Sequence, residues 1–180
     1  MLRLPAVAGQ FYPAEKSALT EIISGLMPAV PAADRRDGIV VVSPHAGYVY
    51  SGGVAAETIG QIKVPETVVL LGPNHTGQGA PISLSTATWE MPMGNVPVDQ
   101  DIAQALLAAT DYIEEDELEH RYEHSLEVLI PFLQMQLPYL SIVPLIISHV
   151  SYQVLNDVGL AIAEVIKRSN KEVLMLASSD

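Results

Sequence analysis

Ile39-Val40-Val41-Val42-Ser43-Pro44-His45-Ala46-Gly47-Tyr48 and Thr67-Val68-Val69-Leu70-Leu71-Gly72-Pro73-Asn74-His75-Thr76-Gly77 follow one plan. Each is an apolar, largely β-branched run, then a small residue, a proline, a histidine and a nearby glycine. Runs without polar alternation read as strands covered on both faces, the condition of a parallel sheet. Ligands of open α/β sheets bind beyond the carboxyl ends of the strands. Both imidazoles are therefore expected at the rim where a site forms. The two histidines are 30 positions apart (75 − 45). That leaves room for one crossover helix, so their strands are neighbours, about 5 Å apart, or are separated by one strand. Neutral imidazole is the commonest protein metal ligand, which makes a shared metal site the first expectation for His45 and His75.

Outward from these runs, the chain alternates. Residues 3–13 read as an extended arm. Residues 15–27 read as a helix, with apolar spacing at Leu19, Ile22, Ile23 and Leu26, followed by a Pro/Ala/Asp-rich connector over 28–38. A short helix is expected over 53–62 and a further strand over 81–86, its direction open. Residues 89–98, holding Pro92, Gly94 and Pro97, read as a loop or hairpin rim. Asp99 is placed to cap a helix over 100–109. A strand follows over 141–147, then a helix over 152–168 with Leu155, Val158, Ile162, Val165 and Ile166 on one stripe, then a strand over 172–176. Such alternation implies right-handed βαβ units. One α/β domain is expected over residues 1–180, with a central, mostly parallel (mixed) sheet and helices on both faces. The sequence stops at Ala177-Ser178-Ser179-Asp180, where a connecting loop should begin. The expectation is of a domain lacking its C-terminal portion, whose last strand or a sheet edge lies exposed, with an apolar face open near Leu174 and Leu176.

With 180 residues, 49% of them hydrophobic, the chain can bury a substantial core. Its formal net charge of −12, from 21 acids and 9 bases, argues against nucleic-acid or anionic-membrane partners. It also makes an anionic substrate less expected, unless a metal or a local arginine receives it. With no cysteine, these residues hold neither a disulfide nor a thiolate metal site. No apolar run approaches the roughly 20 residues of a membrane span. Met1-Leu2-Arg3-Leu4-Pro5 does not look like the start of a signal peptide, so a cytoplasmic protein is the default expectation.

Four strand ends carry polar groups: His45, His75, His149 and, after Ala177-Ser178-Ser179, Asp180. One such histidine is more often structural than a ligand, but several at successive strand ends point to a site. His149 lacks the Pro and Gly setting and reads equally well as site edge or loop. Asn74, beside His75, and Asp180 are further candidates for the site edge. The glycines at 47, 52, 53, 72 and 77 permit close backbone approach, or simply make turns. His120-Arg121-Tyr122-Glu123-His124 spells the inverted zinc-protease signature. It is set aside because it follows the charge run Glu114-Glu115-Asp116-Glu117, and because Pro131 interrupts the next helix within two turns. The better reading starts a helix over 124–136 at His124-Ser125-Leu126-Glu127. His124 then faces the rim as an acid–base or orienting group, against the alternative of a capped surface histidine. Glu127 is expected to be solvated, and Trp89, Met91 and Met93 to serve packing rather than a pocket mouth.

These residues resemble the Memo family, known in prokaryotes as AmmeMemoRadiSam system protein B. The likeness rests on Arg3-Leu4-Pro5-Ala6-Val7-Ala8-Gly9-Gln10-Phe11-Tyr12-Pro13, Ser43-Pro44-His45-Ala46-Gly47-Tyr48-Val49-Tyr50-Ser51-Gly52 and Leu71-Gly72-Pro73-Asn74-His75-Thr76-Gly77. Glu123-His124-Ser125-Leu126-Glu127, Pro131-Phe132-Leu133 and Ala177-Ser178-Ser179-Asp180 continue it in the same order. The resemblance implies a three-layer α/β/α sandwich related to the class III extradiol (LigB-type) dioxygenases, with a metal site at the strand ends. It implies that His45 and His75 match the two metal-site histidines and that His124 lies near them. Asp180 would open a segment that in the family runs on to a further histidine and, later, a cysteine at the metal site, both outside this sequence.

Two functions of different classes follow. In the first, a mononuclear metal protein of redox or dioxygenase-like chemistry uses His45 and His75 as ligands and His124 to move protons. Iron(II) is expected first, then copper or zinc. In the second, an adaptor binds a peptide or small ligand in the same pocket without catalysis, as the signalling role described for animal Memo proteins implies.

Overall fold

The computed structural model describes residues 1–179; Asp180, a candidate for the site edge, lies outside the described residues. The elements are β1 (Leu2–Arg3), α1 (Lys16–Leu26), β2 (Val40–Ser43), α2 (Tyr48–Gly60), β3 (Thr67–Pro73), β4 (Ile82–Leu84) and β5 (Thr88–Trp89). They continue with α3 (Gln100–Ala109), β6 (Glu114–Glu115), α4 (Ile130–Gln136), β7 (Ser141–Ile147), α5 (Tyr152–Ser169) and β8 (Val173–Ser178). A single 3₁₀ turn, Glu127–Leu129, leads into α4.

The central sheet has six strands in the order β2-β8-β3-β7-β4-β6. The first four are parallel, whereas β4 runs antiparallel to β7 and carries β6 parallel to itself. The sheet is therefore mixed, with its parallel part at the center of the βαβ alternation. The crossover β2-α2-β3 moves one way across the sheet and β7-α5-β8 moves the other. Right-handed crossovers of opposite sense put their helices on opposite faces. α2 packs with α1 and α4, and α5 packs with α3, giving helices on either side of the sheet. Val68, Val69 and Leu70 of β3 and Ile142, Val143, Leu145 and Ile146 of β7 are fully buried, as strands covered on both faces must be.

Several boundaries differ from the sequence reading, each for a local reason. α2 begins at Tyr48, five residues before the expected 53, with Gly47 as its N-cap. Gly52 and Gly53 disguise the helix, because glycine inside a helix costs roughly 1 kcal/mol relative to alanine. Gly52 eases the contact with α1: a Cβ there would lie a tight 3.2 Å from Leu26 Cδ1. α3 starts where expected, and the Asp99 carboxylate accepts from the Ile102 N–H. On α5 the stripe is narrower than expected: Val158, Ile162 and Val165 are buried, while Leu155 is largely exposed. The arm pairs β1 with β5 in parallel, and Trp89 and Val96 form an antiparallel bridge, so residues 89–98 are a hairpin rim. Trp89 and Met91 are buried in the core.

The exposed apolar face expected near Leu174 and Leu176 is not there: both are fully buried. The reason is topological, since β8 inserts between β2 and β3 and the edge falls to β2, whose Val40 and Val42 face solvent. Among the described residues, no helix is long and apolar enough to cross a membrane.

Candidate metal centre

β2 ends at Ser43 and β3 at Pro73, so the Pro-His segments that follow leave the sheet at the same rim, with β8 between them. The strands of His45 and His75 are thus separated by one strand, the wider of the two expected arrangements. The third histidine arrives from a separate segment. Residues 123–126 lead into the 3₁₀ turn before α4 and carry His124 to the same place.

Ligating nitrogens of His45, His75 and His124 all lie within 4.8 Å of one another. Ring centroids are 5.2 Å apart for His45 and His75, 5.7 Å for His45 and His124, and 4.7 Å for the nearly stacked His75 and His124. The burial is graded. His45 is 2% exposed, while the side chains of His124 and His75 are 22% and 40% exposed. His45 and His75 line an open cleft of about 560 Å³ together with Leu71, Pro73, Ile147, Ala177 and Ser179. Phe11 of the arm stands edge-on to His124 at 4.8 Å and closes one side.

The histidines are held by groups that the sequence did not single out. Glu123, nearly fully buried, accepts from the His75 N–H at 2.6 Å and from His75 Nδ1 at 2.9 Å. It also accepts from the backbone N–H groups of His124 and Ser125, at 2.8 Å each, and lies 3.4 Å from His124 Nδ1. Burial pushes its carboxyl up, but the hydrogen bonds from His75 and Ser125 outweigh this and hold it below the usual carboxylate range. Glu123 is therefore an anion inside the protein, satisfied by backbone and imidazole donors. Ser178 at the end of β8 lies 2.8 Å from His45 Nδ1 and donates to the Ser125 carbonyl at 2.6 Å. The signals for Glu123 were its place in the H-x-x-E-H string, whose metalloprotease reading required a helix that does not form, and in the family-like run Glu123-His124-Ser125-Leu126-Glu127, neither of which assigned it a role.

The other expected residues fall outside the trio. His149 is exposed just after β7 and is not part of the group. Asn74 organises the loop that presents His75: its amide donates to Gln78 O, Glu119 Oε1 and Ser148 Oγ, and its Oδ1 accepts from the Thr76 and Gly77 N–H groups. His120 is fully buried, 5.9 Å from Trp89 between ring centroids. Glu127, expected in solvent, is completely buried and ion-paired to Arg3. It is buried because the arm folds across it and supplies the donors, a contact between residues 124 positions apart that no local pattern signals.

One position makes the loop's fit testable. A Cβ on Gly72 would lie 2.6 Å from Leu126 Cδ2 and 2.8 Å from Ser125 Oγ, against the segment that holds the histidines. Gly72→Ala is expected to cost about 1–3 kcal/mol by overpacking. Urea unfolding measures it, and a stability unchanged within error would show that the 123–126 segment yields freely.

A family model described as Memo-like protein matches residues 3–180. A MEMO1 family protein of Methanosarcina barkeri is 41% identical over 99% of this chain and 67% of its own length. One of Thermotoga neapolitana is 41% identical over 100% of the chain and 70% of its own length. One of Aquifex aeolicus is 43% identical over 99% of the chain and 66% of its own length. The chain thus spans about two thirds of these relatives, and with a family match over nearly all its residues it belongs to the Memo family.

Proposed function

We propose that this protein binds a single divalent metal ion at His45 and His75, with His124 beside it to give or accept a proton. The observation that carries the reading is the convergence of three imidazoles from three separate segments, with ring nitrogens within 4.8 Å of one another. Ligand distances of roughly 2.0–2.1 Å for imidazole require nitrogens somewhat closer than that, which small side-chain rotations supply. The donor set also fits: His45 and His75 each have Nδ1 against a hydrogen-bonding partner, as metal-bound histidines do. A bound ion would bring Lewis-acid or redox chemistry with open coordination positions, for which iron(II) is the first candidate and copper or zinc the next. The chain's own residues do the rest. His45 and His75 orient the site, Leu71, Ile147 and Ala177 offer an apolar wall for a small organic ligand, and His124 moves a proton at its ring nitrogen. A dioxygenase-like reaction is the chemistry this arrangement would serve. The apolar lining favours a second reading as well, a non-catalytic pocket for a peptide or small ligand.

Anaerobic loading with iron(II), copper or zinc, followed by metal analysis and oxygen uptake, separates the readings. His45→Ala and His75→Ala are each expected to weaken metal binding by 100-fold or more, whereas His124→Ala is expected to retain the ion and lose turnover. Metal content unchanged in both of the first two variants would overturn the assignment. Peptide or ligand binding without any metal would favour the adaptor.

A further inference from the structure

We propose that Glu123 and Ser178 are positioning residues that fix His75 and His45 as Nδ1–H tautomers, so that both turn a lone pair on Nε2 toward the cleft. This rests on the metal-site reading. The argument is one of donors and acceptors. Ser178 has one hydroxyl proton, which goes to the Ser125 carbonyl at 2.6 Å. The 2.8 Å contact between Ser178 Oγ and His45 Nδ1 therefore requires the ring to donate. Both Glu123 oxygens already accept backbone N–H bonds, Oε2 from His75 and Oε1 from His124 and Ser125, so in the 2.9 Å contact to His75 Nδ1 the ring is the donor too.

Both supports are tied to one tripeptide, residues 123–125. The Glu123 side chain holds His75, the Ser125 carbonyl holds His45 through Ser178, and His124 lies between them in the chain. The backbone N–H groups of His124 and Ser125 in turn clamp the Glu123 carboxylate, so segment, carboxylate and rings lock as a unit. Partners of this kind fix ring orientation and raise ligand basicity, and their loss typically lowers metal affinity about 10–100-fold. The two supports differ in strength, because a charge stands behind His75 and a neutral hydroxyl behind His45. Substitution at Glu123 should therefore cost more than substitution at Ser178.

The test reads the tautomers of the metal-free protein by long-range ¹⁵N–¹H NMR and measures zinc affinity. Wild type should show the proton on Nδ1 of both rings. Ser178→Ala should leave a cooperative thermal transition, mix the His45 tautomers and weaken zinc binding about 10–100-fold, with Ser178→Thr restoring both. Glu123→Gln should do the same to His75 with a larger loss. Should Glu123→Gln fail to fold, Ser178→Ala decides alone. Unchanged tautomer and zinc affinity within twofold in Ser178→Ala would overturn the proposal. A wild type that binds no zinc would defeat the metal reading, while the tautomer measurement would still decide whether Glu123 and Ser178 set the rings.

Discussion

Glu127→Gln should destabilise the protein by about 3–5 kcal/mol, although it alters the side chain by little more than one atom. The carboxylate is completely buried, and each of its oxygens serves two donors. Oε2 accepts from Arg3 Nη1 and the Ala6 N–H, and Oε1 from the Val7 N–H and the Tyr12 hydroxyl. An amide must turn its NH₂ toward one of those pairs, so two donors lose their acceptor and meet another donor. Arg3, only 5% exposed, then keeps a charge with no counter-charge. Breaking one partner of a buried pair typically costs about 3–5 kcal/mol. Tyr12 remains a donor throughout, because burial and then the Glu127 charge push its hydroxyl well above its ordinary range. Replacing both charges, as in Arg3→Met with Glu127→Leu, should recover part of the loss. Recovery stays incomplete because the Ala6 and Val7 N–H groups still lack acceptors, each worth roughly 1–3 kcal/mol. Urea unfolding gives the magnitude, and hydrogen exchange at Ala6 and Val7 gives the location. A loss below about 1 kcal/mol would mean that the arm is not held by this carboxylate. The consequence reaches the site, since the arm also carries Phe11 against His124.

What the sequence disclosed, and what it did not, divides along the range of the interactions. The strands bearing His45 and His75 were legible because fully buried strands leave continuous apolar runs, and Pro-His punctuation marks where those runs end. The Asp99 and Ser151 caps are local, three-residue interactions; Asp99 was read as one from its position alone. Glu127 and Glu123 were not legible as buried anions. Their partners lie as far away as Arg3 and His75, and a glutamate beside a helix start looks the same whether solvent or an arm covers it. The order of strands was equally out of reach. The final run of apolar residues reads the same in an edge strand as in an interior one, and only the insertion of β8 between β2 and β3 decides it.

His120 should make the protein lose stability as pH falls from about 6.5 toward 3, ahead of its carboxylates. The ring is fully buried beside Trp89, its Nε2 lies 3.3 Å from the Ser83 carbonyl, and among the described residues its buried Nδ1 has no hydrogen-bond partner. Burial, and secondarily the Arg3 charge, push its pKa down to about 3, against opposing pulls from the Ser83 carbonyl, Asp116 and Glu123. In the unfolded chain an unperturbed histidine takes up its proton near 6.5. Between the two values the unfolded state binds the extra proton and the folded state does not, so stability rises with pH there and falls on acidification. The slope approaches about 1.4 kcal/mol per pH unit, and the full effect by pH 3 is on the order of 5 kcal/mol. Glu123 and Asp99, both lowered, withdraw stability only as pH falls through the ordinary carboxylate range, while Glu119, raised by burial, gains stability on acidification and opposes the His120 slope. Urea unfolding at intervals from pH 7.5 to 4 measures the slope. His120→Gln keeps an amide donor for the Ser83 carbonyl and cannot titrate, so its stability should not fall across pH 6.5 to 5 where wild type declines. An NMR titration in which the His120 ring protonates near 6.5 in the folded protein, or a variant whose decline parallels that of wild type, would show that this ring is not the source of the acid sensitivity.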